Sequence, residues 1–85
     1  KPVKMRENIM NNKRRSDLQR LSSQLEQILS ELETIQSDEE TSRDNIPENL
    51  WNTERYEQSE MACDSLGEAV DGLSSVIENI SDAIG

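Results

Sequence analysis

The amino-acid sequence predicts an all-α protein: an antiparallel two-helix hairpin, coiled-coil-like, that pairs with a second copy into a four-helix bundle. Three observations predict it. Leu18, Leu21, Leu25, Ile28, Leu32 and Ile35 alternate steps of three and four, the a/d spacing that keeps apolar side chains on one seam of a helix. Leu66, Ala69, Leu73, Val76, Ile80 and Ala83 repeat that spacing over nearly the same length, as the arms of a hairpin should. Between the two runs, Ser37 to Asn52 is rich in Asp, Glu, Ser, Thr and Asn and holds Pro47, whose ring disfavours a helical conformation for Ile46.

Taken in chain order, residues 1–12 read as a basic lead-in, loose or helical, because Lys1-Pro2 resembles a loose terminus and no heptad is visible before residue 10. Arg6-Glu7-Asn8-Ile9 directly precedes Met10. Two accounts stand for it: a translated leader, whose Arg-Glu codons form a purine-rich ribosome-binding run ahead of a natural start at Met10, or an ordinary helical lead-in. The hairpin occupies residues 13–85. Its first helix is expected over about 13–40, rich in good helix formers, with a seam from Leu18 to Ile35 of about 27 Å at roughly 1.5 Å per residue. Acidic residues alone do not stop a helix, so it can run on as far as Asp44. The turn is expected over about 41–52 and the second helix over about 53–84. Thr53 is suited to be its N-cap, with Glu54 and Glu57 favourable to the helix dipole in the first turn, and Gly85 is suited to the other end.

The case for a second copy rests on the width of the second helix's apolar face. Val70, Ile77 and Ile84 recur at seven-residue spacing beside its heptad, a stripe wider than a two-stranded coiled coil covers. Leu66, Val70, Leu73, Ile77, Ile80 and Ile84 are therefore the expected dimer core. Size points the same way. An 85-residue chain with 32% hydrophobic content buries little surface alone, and one Cys with no His excludes disulfide or His-based metal staples. No run is long and apolar enough for a membrane span or a signal segment, and a lone thiol fits a reducing compartment, so a cytoplasmic protein without membrane contact is expected.

Charge is distributed unevenly. Residues 1–20 carry seven bases against Glu7 and Asp17, whereas residues 21–85 carry sixteen acids against Arg43 and Arg55. In an antiparallel hairpin this basic start lies beside the acidic end around Glu78 and Asp82, and intramolecular charge complementarity accounts for it. Lys13, Arg14 and Arg15 also suit a weak nucleic-acid contact, although the chain is acidic overall, at net charge -9, and offers no neighbouring aromatic for base stacking.

Catalysis has little to work with: there is no His, no Gly-rich phosphate loop and no nucleophile beside a base. No enzyme activity and no cofactor are expected. Cys63 reads as a small buried hydrophobe; the competing reading, a reactive thiol, needs a lowered pKa that its acidic neighbourhood opposes. Asp38, Glu39, Glu40 and Asp44 lack the alternating ligands and central Gly of a calcium loop and read as a solvated helix end. Glu57, Asp64, Asp71 and Glu78 are spaced by seven and form an acidic stripe, expected opposite the apolar face. The plain reading is a solubilising surface; the sharper one is a one-signed field that takes a protein with a basic surface, or mimics nucleic acid in a host nuclease or nucleic-acid-binding groove in the manner of an anti-CRISPR or anti-restriction inhibitor. Ile46, Leu50, Trp51 and Tyr56 cluster at the turn and read either as a hydrophobic lid on the bundle or as a partner-binding hot spot.

The turn also carries a resemblance. Asp44-Asn45-Ile46-Pro47-Glu48-Asn49-Leu50, followed by Thr53-Glu54-Arg55 and an acidic heptad helix, resembles a family of short proteins from prophages and mobile elements of Gram-positive bacteria. Its members look like a basic start, one helix, a D-N-[MI]-P-E-[SN]-L turn, an S-E-R-like cap and a second helix rich in Ala, Asp and Glu. The likeness covers Met10 to Gly85, and only the Pro-containing turn is specific. Trp51 and Thr53 depart from the polar residue and Ser usual there. The resemblance implies a helical hairpin in a bacterial host cell and carries over no functional residue. The function expected from all of this is a non-enzymatic protein–protein interaction module, a small acidic homodimer.

Overall fold

The computed structural model describes residues 11–85, in which two long helices pack against each other and no strand occurs. The expectations for the start at Met10 and for residues 1–10 lie outside the described residues. Helix α1 spans Asn12–Asp44 and helix α2 spans Glu54–Ile84, joined by a short 3₁₀ turn at Glu48–Leu50.

Each boundary has a local cause. Asn11 caps α1: its side-chain oxygen accepts from the Arg14 amide at 2.8 Å, satisfying one of the unpaired N–H groups of the first turn. The helix continues past Glu40 to Asp44, because nothing before Pro47 forces it to stop. The last carbonyls of α1 are then taken up by the chain as it turns: the Asn45 amide donates to Thr41 at 3.0 Å and the Ile46 amide to Arg43 at 3.0 Å. Pro47, lacking an N–H, begins the 3₁₀ turn and accepts from the Leu50 amide at 2.8 Å. Thr53 then works in both directions. Its hydroxyl donates to the Leu50 carbonyl at 2.7 Å and accepts from the Tyr56 amide at 3.3 Å, opening α2 with Glu54 and Glu57 in its first turn. At the far end Gly85, at φ 97°, takes the left-handed conformation that closes a helix.

The packing between the helices differs from the register the two heptads suggested. On α1 the half-buried residues along the α2 side are Arg15, Leu18, Ser22, Leu25, Leu29, Leu32, Gln36, Glu39 and Arg43; on α2 the corresponding set is Tyr56, Ser59, Cys63, Leu66, Val70, Leu73, Ile77, Ile80 and Ile84, while Asp17, Ala62 and Gly67 are half-buried beside them. Both sets keep the three-and-four spacing. Relative to expectation, each helix is turned by one column. Leu21, Ile28 and Ile35 are 41%, 48% and 53% exposed, and Ala69, Val76 and Ala83 are exposed on α2. All six residues expected at a dimer core, Leu66, Val70, Leu73, Ile77, Ile80 and Ile84, face α1 of their own chain and are only half-buried. Three columns are thus in play on each helix, largely apolar on α2, whereas on α1 one of them is the mixed column Arg15, Ser22, Leu29, Gln36 and Arg43. The hairpin covers two of them and leaves the third to solvent.

Candidate functional site

In an antiparallel pair, the columns that flank the seam on one side of each helix end up on the same side of the hairpin. Two flanks result. Ser42 and Arg55, the turn-end members of the uncovered columns, line one groove together, so both uncovered columns share a flank. That flank is apolar: Leu21, Ile28 and Ile35 from α1, Ala69, Val76 and Ala83 from α2.

The opposite flank is acidic. Glu26 and Glu78 line one groove there, together with Ser74, Ser81, Leu29 and Ile77. The stripe Glu57, Asp64, Asp71 and Glu78 borders this flank, rather than standing opposite the apolar face, and all four are exposed. The one-column rotation of α2 is the reason. On α1 the same flank carries Glu26, Glu33 and Glu40, again at seven-residue spacing and exposed. Their contribution is not apparent from α2 alone; their shared period with the α2 stripe is the signal that finds them. Among the described residues, no Lys or Arg belongs to these columns.

Basic residues of the described chain lie elsewhere. Lys13 pairs with Asp17 at 2.9 Å and Arg20 with the same carboxylate at 3.9 Å, both within α1. Arg15 turns toward α2 and is half-buried, so Lys13, Arg14 and Arg15 do not present three charges on one exposed face. Their ion pairs among the described residues stay within α1, and the cross-helix pairing expected with Glu78 and Asp82 is not among them.

At the turn, Ile46 is 7% exposed and is the most buried of the expected cluster. Trp51 folds back, its indole N–H donating to the Ile46 carbonyl at 3.0 Å and its ring stacking on Tyr56 with centroids 5.5 Å apart. Even so, Trp51 is 44% exposed and Leu50 is exposed beside it. The cluster therefore closes over Ile46 on one side and presents aromatic surface on the other. Ile46, Pro47 and Leu50, together with polar residues that include Asp38, Thr41 and Arg55, also line an open groove of about 470 Å³.

The seam near the turn is polar, unlike the aliphatic seam further out. Ser59 donates to the Glu39 carboxylate at 2.6 Å across the two helices, and Arg43 pairs with its neighbour Asp44 at 3.2 Å, which raises the guanidinium pKa. Cys63, 5% exposed, sits in this stretch. Burial pushes its thiol pKa up; Arg43 pulls it down, and the carboxylates of Glu39, Glu40 and Asp64 raise it further. Such a thiol is a poor nucleophile at neutral pH. No three of His, Cys, Asp and Glu gather as a metal site among the described residues, and no helix there is long and apolar enough to cross a membrane. No protein-family model, curated protein or solved structure matches the chain.

Proposed function

We propose that this chain is a non-enzymatic protein–protein interaction module of mobile-element type, working in the bacterial cytoplasm as an acidic homodimeric hairpin that engages a protein with a basic surface. The observation that carries the reading is the acidic flank, where both helices contribute carboxylates at a common seven-residue period and Glu26 and Glu78 border one groove. A one-signed array at fixed spacing on rigid helices accelerates encounter with a basic partner and disfavours acidic ones. The turn supplies a second contact of a different kind, since Trp51 is held in place by Ile46 and Tyr56 while keeping exposed surface. The mobile-element origin is supported by the turn Asp44 to Leu50 alone.

A second reading narrows the partner to a nuclease or other nucleic-acid-binding protein whose phosphate groove the acids fill. It is favoured by the run of carboxylates without an intervening base among the described residues of that flank. Direct nucleic-acid binding has less support, because Lys13 is paired with Asp17 and Arg15 faces α2.

The test is affinity capture from the host lysate by the full chain, with salt elution and mass spectrometry. A basic partner is expected, retained when Lys13, Arg14 and Arg15 are changed to Ala and lost when Asp64, Asp71 and Glu78 are changed to Lys. Release of that partner by added DNA or RNA selects the second reading. A partner held equally by the charge-reversed chain contradicts the acidic-flank reading.

A further inference from the structure

We infer that the apolar flank is the homodimer interface, with the α1 column Leu21, Ile28 and Ile35 of one copy packed on the α2 column Ala69, Val76 and Ala83 of another and both turns at the same end of the bundle. This rests on the self-pairing part of the proposal above and assigns it a surface and an arrangement.

Charge selects the flank. A second copy approaching the acidic side would bring Glu26, Glu33, Glu40, Asp64, Asp71 and Glu78 against their own duplicates, a like-charge contact at the centre of an interface. On the apolar side the neighbouring α2 column is Gln58, Ser65, Gly72 and Asn79, without charge, so the acids bordering the α1 column (Asp17, Glu31, Asp38) meet neutral polar groups.

Size and height select the arrangement. The uncovered column of α1 is large and that of α2 is small, and cores fill best when large residues oppose small ones. Gln36 lies beside Gly67, and Ser22 and Ser81 line one groove. In that register Leu21 stands level with Ala83, Ile28 with Val76 and Ile35 with Ala69, to within about one residue's rise of roughly 1.5 Å. A two-fold axis along the bundle preserves those heights between copies and makes every neighbouring helix pair antiparallel. Area is sufficient too. A flank the length of α2, about 46 Å at roughly 1.5 Å per residue, and two helices wide, about 18 Å, offers a footprint of roughly 800 Å² per copy, the size of a standard stable interface. Among the described hydrophobic residues, only Ile46 and Cys63 are buried in the lone hairpin, and this contact gives the helices a core. It also leaves the acidic flanks facing outward on opposite sides, so the dimer offers two equivalent acidic surfaces.

Sedimentation equilibrium of the full chain, with helix content followed by circular dichroism, tests the assignment. The wild-type chain is expected at twice 9.7 kDa, the Ile28→Glu, Ile35→Glu chain at the single mass, and a Glu57→Gln, Asp64→Asn, Asp71→Asn chain still at twice the mass. If the double-glutamate chain loses its helix, Ile28→Gln replaces it, at a position already half exposed in the lone hairpin; a dissociation constant weakened at least tenfold is expected. A dimer unaffected by either change overturns the flank while leaving self-pairing standing. A wild-type chain that is monomeric and fully helical overturns both, without touching the acidic-flank reading, which the capture experiment decides.

Discussion

Thr53 shows how much a single side chain decides in a fold with so little core. Its hydroxyl ties the end of the turn to the start of α2, donating to Leu50 and accepting from Tyr56. Thr53→Ala removes both and is expected to cost about 1 kcal/mol in urea unfolding, the usual worth of an N-cap. Cys63 reports on the same end of the hairpin from the inside. Burial holds its pKa above the ordinary thiol value, so the folded state keeps a proton that the unfolded chain releases. The contribution of the thiol is then fully present below its unfolded pKa and is lost as pH rises from there toward the folded pKa. Melting temperature is expected to fall across the ordinary thiol range, and Cys63→Ala to remove that part of the pH dependence. A wild-type profile indistinguishable from that of Cys63→Ala would mean that the thiol is not shielded.

At the scale of elements, periodicity was legible and rotation was not. The three-and-four spacing located both helices, Pro47 located the turn, and Thr53 marked the start of α2, because each depends on local chemistry. Which columns meet across the hairpin depends on something else. A helix face three columns wide contains two seams of two columns, and spacing alone ranks them only by hydrophobicity. On α1 the richer seam, Leu18 to Ile35, includes Leu21, Ile28 and Ile35, yet the hairpin uses the seam with Ser22 and Gln36. The larger column of α2, with Val70, Ile77 and Ile84, takes the shielded place, and α1 accommodates it with smaller and polar residues. The acidic flank was half legible for the same reason: its α2 stripe has a visible period, but its union with Glu26, Glu33 and Glu40 appears only once the rotation is known. A prediction belongs to this scale. Gly72 lies inside α2, and a Cβ there would meet nothing within 4 Å, so Gly72→Ala should gain about 0.5–1 kcal/mol of helix propensity. That gain corresponds to a rise of a few degrees in melting temperature. Gly67→Ala should gain less, because its Cβ would stand 3.3 Å from the Gln36 amide. Equal gains at both sites would place Gln36 away from Gly67.

At the scale of the whole molecule, the two flanks differ in character. One flank is apolar and, in the proposed dimer, packs on a second copy; the other is acidic. In the proposed dimer, a hairpin whose described hydrophobic core comprises only Ile46 and Cys63 draws its stability from association, and folding and pairing are then coupled. The most direct measurement is thermal unfolding of the full chain, followed by helix content over a hundredfold range of concentration. Coupled folding and pairing gives a midpoint that climbs steadily with concentration. A midpoint unchanged over that range, with the chain fully helical at its lowest concentration, would contradict it.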